Sequence, residues 1–168
     1  MQMALAVVGS IVAALLETSV APFVMIGGVR PDLVLVTALA VVVTVGAEAG
    51  FLWAFCGGLI LDLLSAPAHP VGASVVALLV ASGFAAVIAR FAGRNRVVTA
   101  VVATFPLTFV YEGVFGLLVA TALGHLSLAT PTGAMLPAAV ENTILAIPLA
   151  LAGRWIWLRW GAQDRIEW

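Results

Sequence analysis

Five acidic residues lie within or beside the long apolar stretches of this chain: Glu17, Glu48, Asp62, Glu112 and Glu141. An ionisable group at bilayer depth costs on the order of 2.5–3.5 kcal/mol, so such groups usually face a bundle interior or a watery cavity. They could form a proton path, an ion path or a polar ligand pocket. They could instead supply hydrogen bonds between helices, each worth about 0.6 kcal/mol. For Glu112 and Glu141 we favour hydrogen bonding, because neither has a charged partner at comparable depth in the predicted helices.

Two histidines, His69 and His125, are the remaining residues with metal-binding chemistry, and they could share a metal with Asp62. They follow no local spacing motif, and solvated loop histidines are far commoner than metal ligands. The chain also contains no Ser-His-Asp, Gly-x-Ser-x-Gly, His-Glu-x-x-His or Walker pattern. We therefore predict no catalytic centre, no metal site and no cofactor.

The composition excludes a soluble domain. Apolar residues make up 64% of the 168 residues and charged residues 9%, and the mean hydropathy is +1.21. A small domain exposes too much surface to hide so much apolar material from water, so lipid must surround most of it. No Lys/Arg stripe suited to nucleic acid is present. We predict one all-α integral membrane domain spanning residues 1–168.

Segment lengths predict a compact bundle of six transmembrane helices, since about 20 apolar residues cross a bilayer core of about 30 Å. The second and third are short for a span, which leaves a five-helix count as the alternative. The predicted helices cover residues 3–26, 33–46, 48–64, 71–92, 97–123 and 134–158.

The arginines predict the orientation. Lysine is absent, and six of the seven arginines form two groups, residues 90–96 and 154–165. Six helices place both groups on one side, which the positive-inside rule assigns to the cytoplasm together with both termini. Trp155, Trp157 and Trp160 would then lie at the headgroup level. The first apolar run lacks a preceding basic region, so we expect it to be retained as a helix.

Small residues recur every fourth position in the third helix, where Gly46, Gly50, Ala54 and Gly58 precede Asp62. Residues four apart lie nearly above one another, so this row permits close approach of another helix, either internal or from a partner. The alternative is that the row only reflects an Ala/Gly-rich composition. We assign the same packing or partner-facing role to Gly57, Ala77 and Ala81.

Several short motifs occur in a characteristic order. They read GVRPDLVL at 28–35, GF at 50–51, GGLILDLL at 57–64, PVG at 70–72 and NTILAIPL at 142–149. Together they resemble the MreD family of rod shape-determining proteins, which are small bacterial inner-membrane proteins. Glu112 and the segment 124–133 match no family pattern. The resemblance assigns motif or structural roles to Pro31, Asp32, Gly50, Gly58, Asp62, Pro70, Gly72 and Asn142.

Elementary chemistry suggests a role for several of these residues. Pro31 suits the first turn of a helix, and Asp32 beside it places a carboxylate near unpaired backbone N–H groups. Asp62 is expected at the outer end of the third helix, where water could reach it, and where it would cap the next helix or order the turn. Pro70 and Gly72 would turn the chain tightly before the fourth helix.

The resemblance implies a non-enzymatic scaffold subunit of the cell-elongation machinery, located in the inner membrane. It would bind MreC, and through it MreB and the RodA/penicillin-binding-protein synthase that builds lateral peptidoglycan. The family is also similar in fold to substrate-binding subunits of energy-coupling-factor vitamin transporters, which supplies the alternative function. An intramembrane enzyme is a third class. The short outer loops and the single tyrosine, Tyr111, favour the scaffold over a vitamin pocket.

Overall fold

The computed structural model describes residues 2–20, 23, 30–65, 70–91, 93, 95–124 and 132–156, and helices are the regular secondary structure within them. The connections from α2 to α3 and from α4 to α5 are short, at two and five residues. Within these residues the helices are α1 (Gln2–Ser19), α2 (Leu33–Thr44), α3 (Ala47–Leu64), α4 (Ala73–Arg90), α5 (Arg96–Ala122) and α6 (Thr132–Ile156).

The predicted bounds agree with these helices within a few residues, except that α1 ends well before residue 26. The Val20 amide still donates to Leu16 at 2.7 Å, but the Phe23 amide donates to Val20 at 2.9 Å, which is a tighter turn. Pro22 carries no backbone N–H with which an α-helix could continue. The first helix is therefore shorter than the apolar run that contains it.

Four of these helices, α3 to α6, are long and apolar enough to cross a membrane. The third helix, although predicted to be short, meets the length and composition of a membrane span, with 18 residues and a mean hydropathy of 1.5. The second helix is short, as predicted. At 12 residues, α2 is only about 18 Å long, which is well short of a bilayer core.

The short helix α2 occupies the centre of the bundle and packs against each of the other five helices. Nine of its twelve residues are buried, which explains why its sequence is apolar on all sides. The neighbouring pairs α1–α3, α3–α4, α4–α5 and α5–α6 surround it. Between α1 and α6 the described residues make no comparable packing. We call this side of the bundle the α1–α6 opening.

The small-residue row of α3 packs against helices of the same chain. A Cβ atom on Gly58 would lie 2.8 Å from the Cα of Val75 in α4, so only glycine permits this approach. Gly50 is similarly close to Val42 of α2, and Gly57 faces the side chain of Val34. The row therefore joins α3 to both α2 and α4.

Gly46 does not share that packing role. It is the N-cap of α3, its φ is +147°, and no atom lies near the position that its Cβ would occupy. Gly46 serves the tight turn between α2 and α3, where a side chain would strain the backbone.

The alanines that were assigned a packing or partner-facing role are fully buried in the bundle. Ala54, Ala77 and Ala81 each have no accessible surface. A partner therefore has no access to these alanines. Of the two roles that the sequence left open, they have the packing role inside the bundle and do not face another protein. The reason is that α2 and the adjoining helices already cover these faces.

The end of α4, the start of α5 and the end of α6 share one end of the bundle, marked by Arg90, Arg96 and Arg154. We call it the arginine end. The predictions made for Arg94, Arg159, Arg165, Trp157, Trp160, His69 and His125 concern residues outside the described ranges.

Candidate functional site

A polar cluster lies at the end of the bundle opposite the arginines, where α2 begins inside the protein. The first backbone N–H groups of a helix have no intrahelical acceptor, and lipid offers none. Glu17, in the last turn of α1, supplies one, because the Val34 amide donates to its Oε2 at 2.7 Å. Glu17 therefore caps the central helix from a neighbouring helix.

Asp32 and Asn142 form a reciprocal pair that attaches α6 to the segment before α2. The Asp32 amide donates to Asn142 Oδ1 at 2.9 Å, and Asn142 Nδ2 donates to Asp32 Oδ2 at 2.9 Å. Asp32 occupies the N-cap position of α2, but its side chain makes no capping hydrogen bond. The expected capping by this carboxylate is therefore wrong, because Glu17 performs it instead. Pro31 is buried and precedes the cap rather than lying in the first helical turn.

Asn142 also reaches α5, as expected for a polar residue well inside the last helix. Its Nδ2 lies 3.5 Å from Thr108 Oγ1, and both side chains are completely buried. The Thr108 hydroxyl itself donates to the Thr104 carbonyl at 2.9 Å, so it can serve as an acceptor for the amide. One asparagine thus connects α6 with both α2 and α5.

Asp62 performs the corresponding task at the start of α4. Its carboxylate accepts the backbone amides of Gly72 at 2.8 Å, Ser74 at 3.0 Å and Val75 at 3.4 Å. Gly72 adopts the left-handed conformation with φ +102°, and the Pro70 carbonyl accepts the Ala73 amide at 3.2 Å. The expectation of water access at Asp62 is wrong. The side chain has no exposed surface, since it is turned into the helix start that it caps.

Tyr111 and Glu112 lie on α5 beside this cluster. Tyr111 is buried, stacks on Phe115 with ring centroids 6.0 Å apart, and lies close to the Ser74 side chain. Glu112 is partly exposed and is near enough to Asp32 to interact with it electrostatically. The acidic residues of the cluster are thus supplied by several helices. Even so, no group of three or more His, Cys, Asp and Glu in the described part of the chain is arranged to hold a metal ion.

Glu141 differs from the other acidic residues of the cluster. Its side chain is only 6% exposed, and its Oε2 has no hydrogen-bond partner among the described residues. Ile147 and Arg154 line a groove shared with α5, and Glu141 lies about 120–140° around the helix from them. Glu141 is therefore on the face of α6 turned away from α5, towards the α1–α6 opening.

Several of these contacts could hardly be predicted from the sequence. Glu17 was one of five acids with no assigned partner, and nothing local links it to an amide 17 residues away. Trp53 also went unremarked, although its Nε1 donates to Thr37 Oγ1 at 2.9 Å and its ring lies against Gly9. Two features could have suggested the contact of Glu17 with α2. One is a polar side chain in the last turn of an apolar helix, and the other is a following helix too short to span the membrane.

The chemistry of the cluster is that of structural hydrogen bonding. The carboxylates of Glu17 and Asp62 accept hydrogen bonds from backbone amides at the starts of helices. The side-chain amide of Asn142 donates to Asp32, which precedes α2, and to Thr108 of α5. No nucleophile in the described cluster is paired with a base in the manner of a hydrolytic site. These hydrogen bonds join α1 to α2, α3 to α4, and α6 to both α2 and α5, so all six helices take part.

Three comparisons with known proteins bear on the identity of the chain. A search of curated proteins gave no match, and a search of solved structures gave none. A family model described as rod shape-determining protein MreD matches residues 1–159, which is nearly the whole sequence. The matched range contains the hydrogen-bonded pair Asp32 and Asn142 and the capping residue Asp62. The chain belongs to the MreD family of rod shape-determining proteins.

Proposed function

We propose that this protein is a non-enzymatic scaffold subunit of the bacterial cell-elongation machinery. It lies in the inner membrane with both termini in the cytoplasm, and it binds MreC. Through MreC it is linked to MreB and to the RodA/penicillin-binding-protein synthase, and so helps to direct lateral peptidoglycan synthesis. The family match over residues 1–159 carries the proposal, since it supports a role in determining rod shape.

The use of polar groups inside the bundle supports a scaffold rather than a catalyst. Glu17 and Asp62 accept backbone amides at helix starts, and Asn142 bonds to Asp32. Groups engaged in this way hold helices in place and are not available to a substrate. A fixed outer shape is what a binding scaffold requires, because membrane helices associate through close van der Waals fit.

The α1–α6 opening is the surface at which we propose that MreC docks. Glu141 faces this opening with a buried carboxylate oxygen that lacks a partner among the described residues. That oxygen has almost no accessible surface, so a docking segment would contact the exposed apolar side chains that border the opening rather than Glu141 itself. On α1, Ile11 lies about 200° around the helix from Gly9, which faces Trp53 of α3. Ile11 thus borders the same opening.

The docking proposal is tested by co-purification. The protein and the MreC of the same organism are co-expressed, solubilised in a mild detergent and captured through a tag on the MreD-family chain. Ile11→Trp should reduce MreC recovery by tenfold or more, because a bulky ring occupies the opening. Val87→Trp, at an exposed position on α4, is the matched control and should leave recovery unchanged. Equal recovery with both variants would contradict docking at this surface.

The vitamin-transport alternative keeps one specific observation in its favour. Glu112 is a partly exposed acid near Asp32, as a proton-linked or ligand-linked site would require. Glu112→Gln retains size and hydrogen-bonding ability but cannot release a proton. The scaffold proposal expects normal rod shape and normal MreC recovery with this variant. Rounded cells with normal protein levels and retained MreC would favour the transporter.

A further inference from the structure

An open groove runs along the membrane-facing surface between α5 and α6 at the arginine end. Its volume is about 400 Å³, and it is bounded by the first two turns of α5 and the last two turns of α6. The apolar part of its wall includes Val98, Val102, Ile147 and Leu151. All four side chains are exposed, so a molecule in the groove would contact them directly.

Polar groups are confined to one end of this groove. Arg154, in the last turn of α6, and Asn95, the N-cap of α5, both line it. Asn95 Oδ1 accepts the Val98 amide at 3.5 Å, which leaves the Nδ2 hydrogens of that side chain as donors. Arg154 is exposed and forms no ion pair with the described residues. A guanidinium and an amide therefore border the mouth of an apolar groove.

The groove is about as long as the part of a lipid acyl chain that lies next to the headgroup. Asn95 and Val102 are seven positions apart in the chain, as are Ile147 and Arg154. Each wall of the groove is therefore about 10 Å long. That length corresponds to the upper part of an acyl chain and leads directly to the level of the headgroup. The charge balance at this end is also positive, with Arg90, Arg96 and Arg154 against Glu48 among the described residues.

We propose that this groove binds an anionic phospholipid. The phosphate lies between Arg154 and Asn95, and one acyl chain lies along the valine, isoleucine and leucine side chains. Basic pockets between membrane helices select anionic headgroups through charge and donor geometry, whereas the apolar wall holds any acyl chain. Selectivity for the headgroup therefore resides in Arg154, and occupancy of the groove resides in its apolar wall.

Native mass spectrometry of the full-length protein in detergent micelles tests the proposal. Phosphatidylglycerol and phosphatidylcholine with identical acyl chains are added in parallel, and apparent dissociation constants are measured. Wild-type protein should bind phosphatidylglycerol more tightly. Arg154→Gln should weaken phosphatidylglycerol binding about fivefold, which is about 1 kcal/mol at tenfold per 1.4 kcal/mol. It should weaken phosphatidylcholine binding less, because the choline cation already offsets the charge of the phosphate that both lipids carry. Arg90→Gln, at the same end but outside the groove, is the matched control and should behave as wild type.

A second pair of variants tests the apolar wall without changing any charge. Val98→Trp fills the groove and should weaken the binding of both lipids, whereas Val87→Trp on α4 should weaken neither. Equal losses with Arg154→Gln and Arg90→Gln would indicate diffuse charge attraction and would overturn the defined site. Equal binding of the two lipids by the wild-type protein would also overturn the proposal. So would binding of neither lipid, and that result would indicate that the groove is occupied by a protein segment instead.

Discussion

Replacement of Asp62 by alanine is the perturbation whose effect can be worked out most fully. The carboxylate accepts the amides of Gly72, Ser74 and Val75 at 2.8, 3.0 and 3.4 Å, and it has no exposed surface. Alanine removes the acceptor and leaves these donors without a partner at the start of α4. A buried donor without a partner costs about 1–3 kcal/mol. Counting only the two shorter bonds, we expect a loss of about 3–4 kcal/mol in the free energy of unfolding.

That loss is a large part of the roughly 5–15 kcal/mol that stabilises a typical domain, and it lowers the folding constant a few hundredfold. The assay is SDS titration in mixed micelles, followed by tryptophan fluorescence. Glu48→Ala is the control, because Glu48 is an exposed acid in the first turn of α3 and should contribute less than about 1 kcal/mol. Unfolding of Asp62→Ala at the same SDS fraction as Glu48→Ala would refute the capping argument.

Three further predictions concern packing, hydrogen bonding and orientation. Gly58→Leu should cost about 1–3 kcal/mol or more in the same SDS titration, because the new side chain meets the α4 backbone, whereas Leu59→Ala at a partly exposed site should cost much less. Asn142→Leu should cost about 2–3 kcal/mol in that assay, because it removes both bonds to the segment before α2. In a cysteine-free background, a cysteine at Arg94 should resist an impermeant thiol reagent in intact cells, and one at Thr130 should react; labelling at Arg94 would contradict the topology.

Helix positions were predictable because apolar length is a local property of the sequence. Five of the six helices lie within a few residues of their predicted bounds. The capping of α4 by Asp62 was predicted and is confirmed, since the aspartate, the proline and the glycine lie close together in the chain. The central position of α2 could not be predicted, because the sequence of a buried helix and that of a lipid-facing helix are both apolar.

The polar cluster depended on long-range contacts that no local pattern encodes. Glu17 and Val34 are 17 residues apart, and Asp32 and Asn142 are 110 apart. Asp32 looked like a helix cap from its position, and the sequence could not indicate that a carboxylate from α1 would occupy that site. Small residues suit an internal seam as well as an external one, so the sequence left both roles open for Ala54, and the structure buries it inside the bundle.

Site-specific photocrosslinking in living cells can show whether MreC docks at the α1–α6 opening, as we propose. A photoreactive phenylalanine derivative is introduced at Ile11 and, as the matched control, at Val87, which is exposed on the opposite part of the perimeter. Irradiation should produce a covalent adduct with MreC from Ile11 and none from Val87. An adduct with equal yield at both positions, or no MreC adduct at Ile11 despite normal expression, would contradict the account.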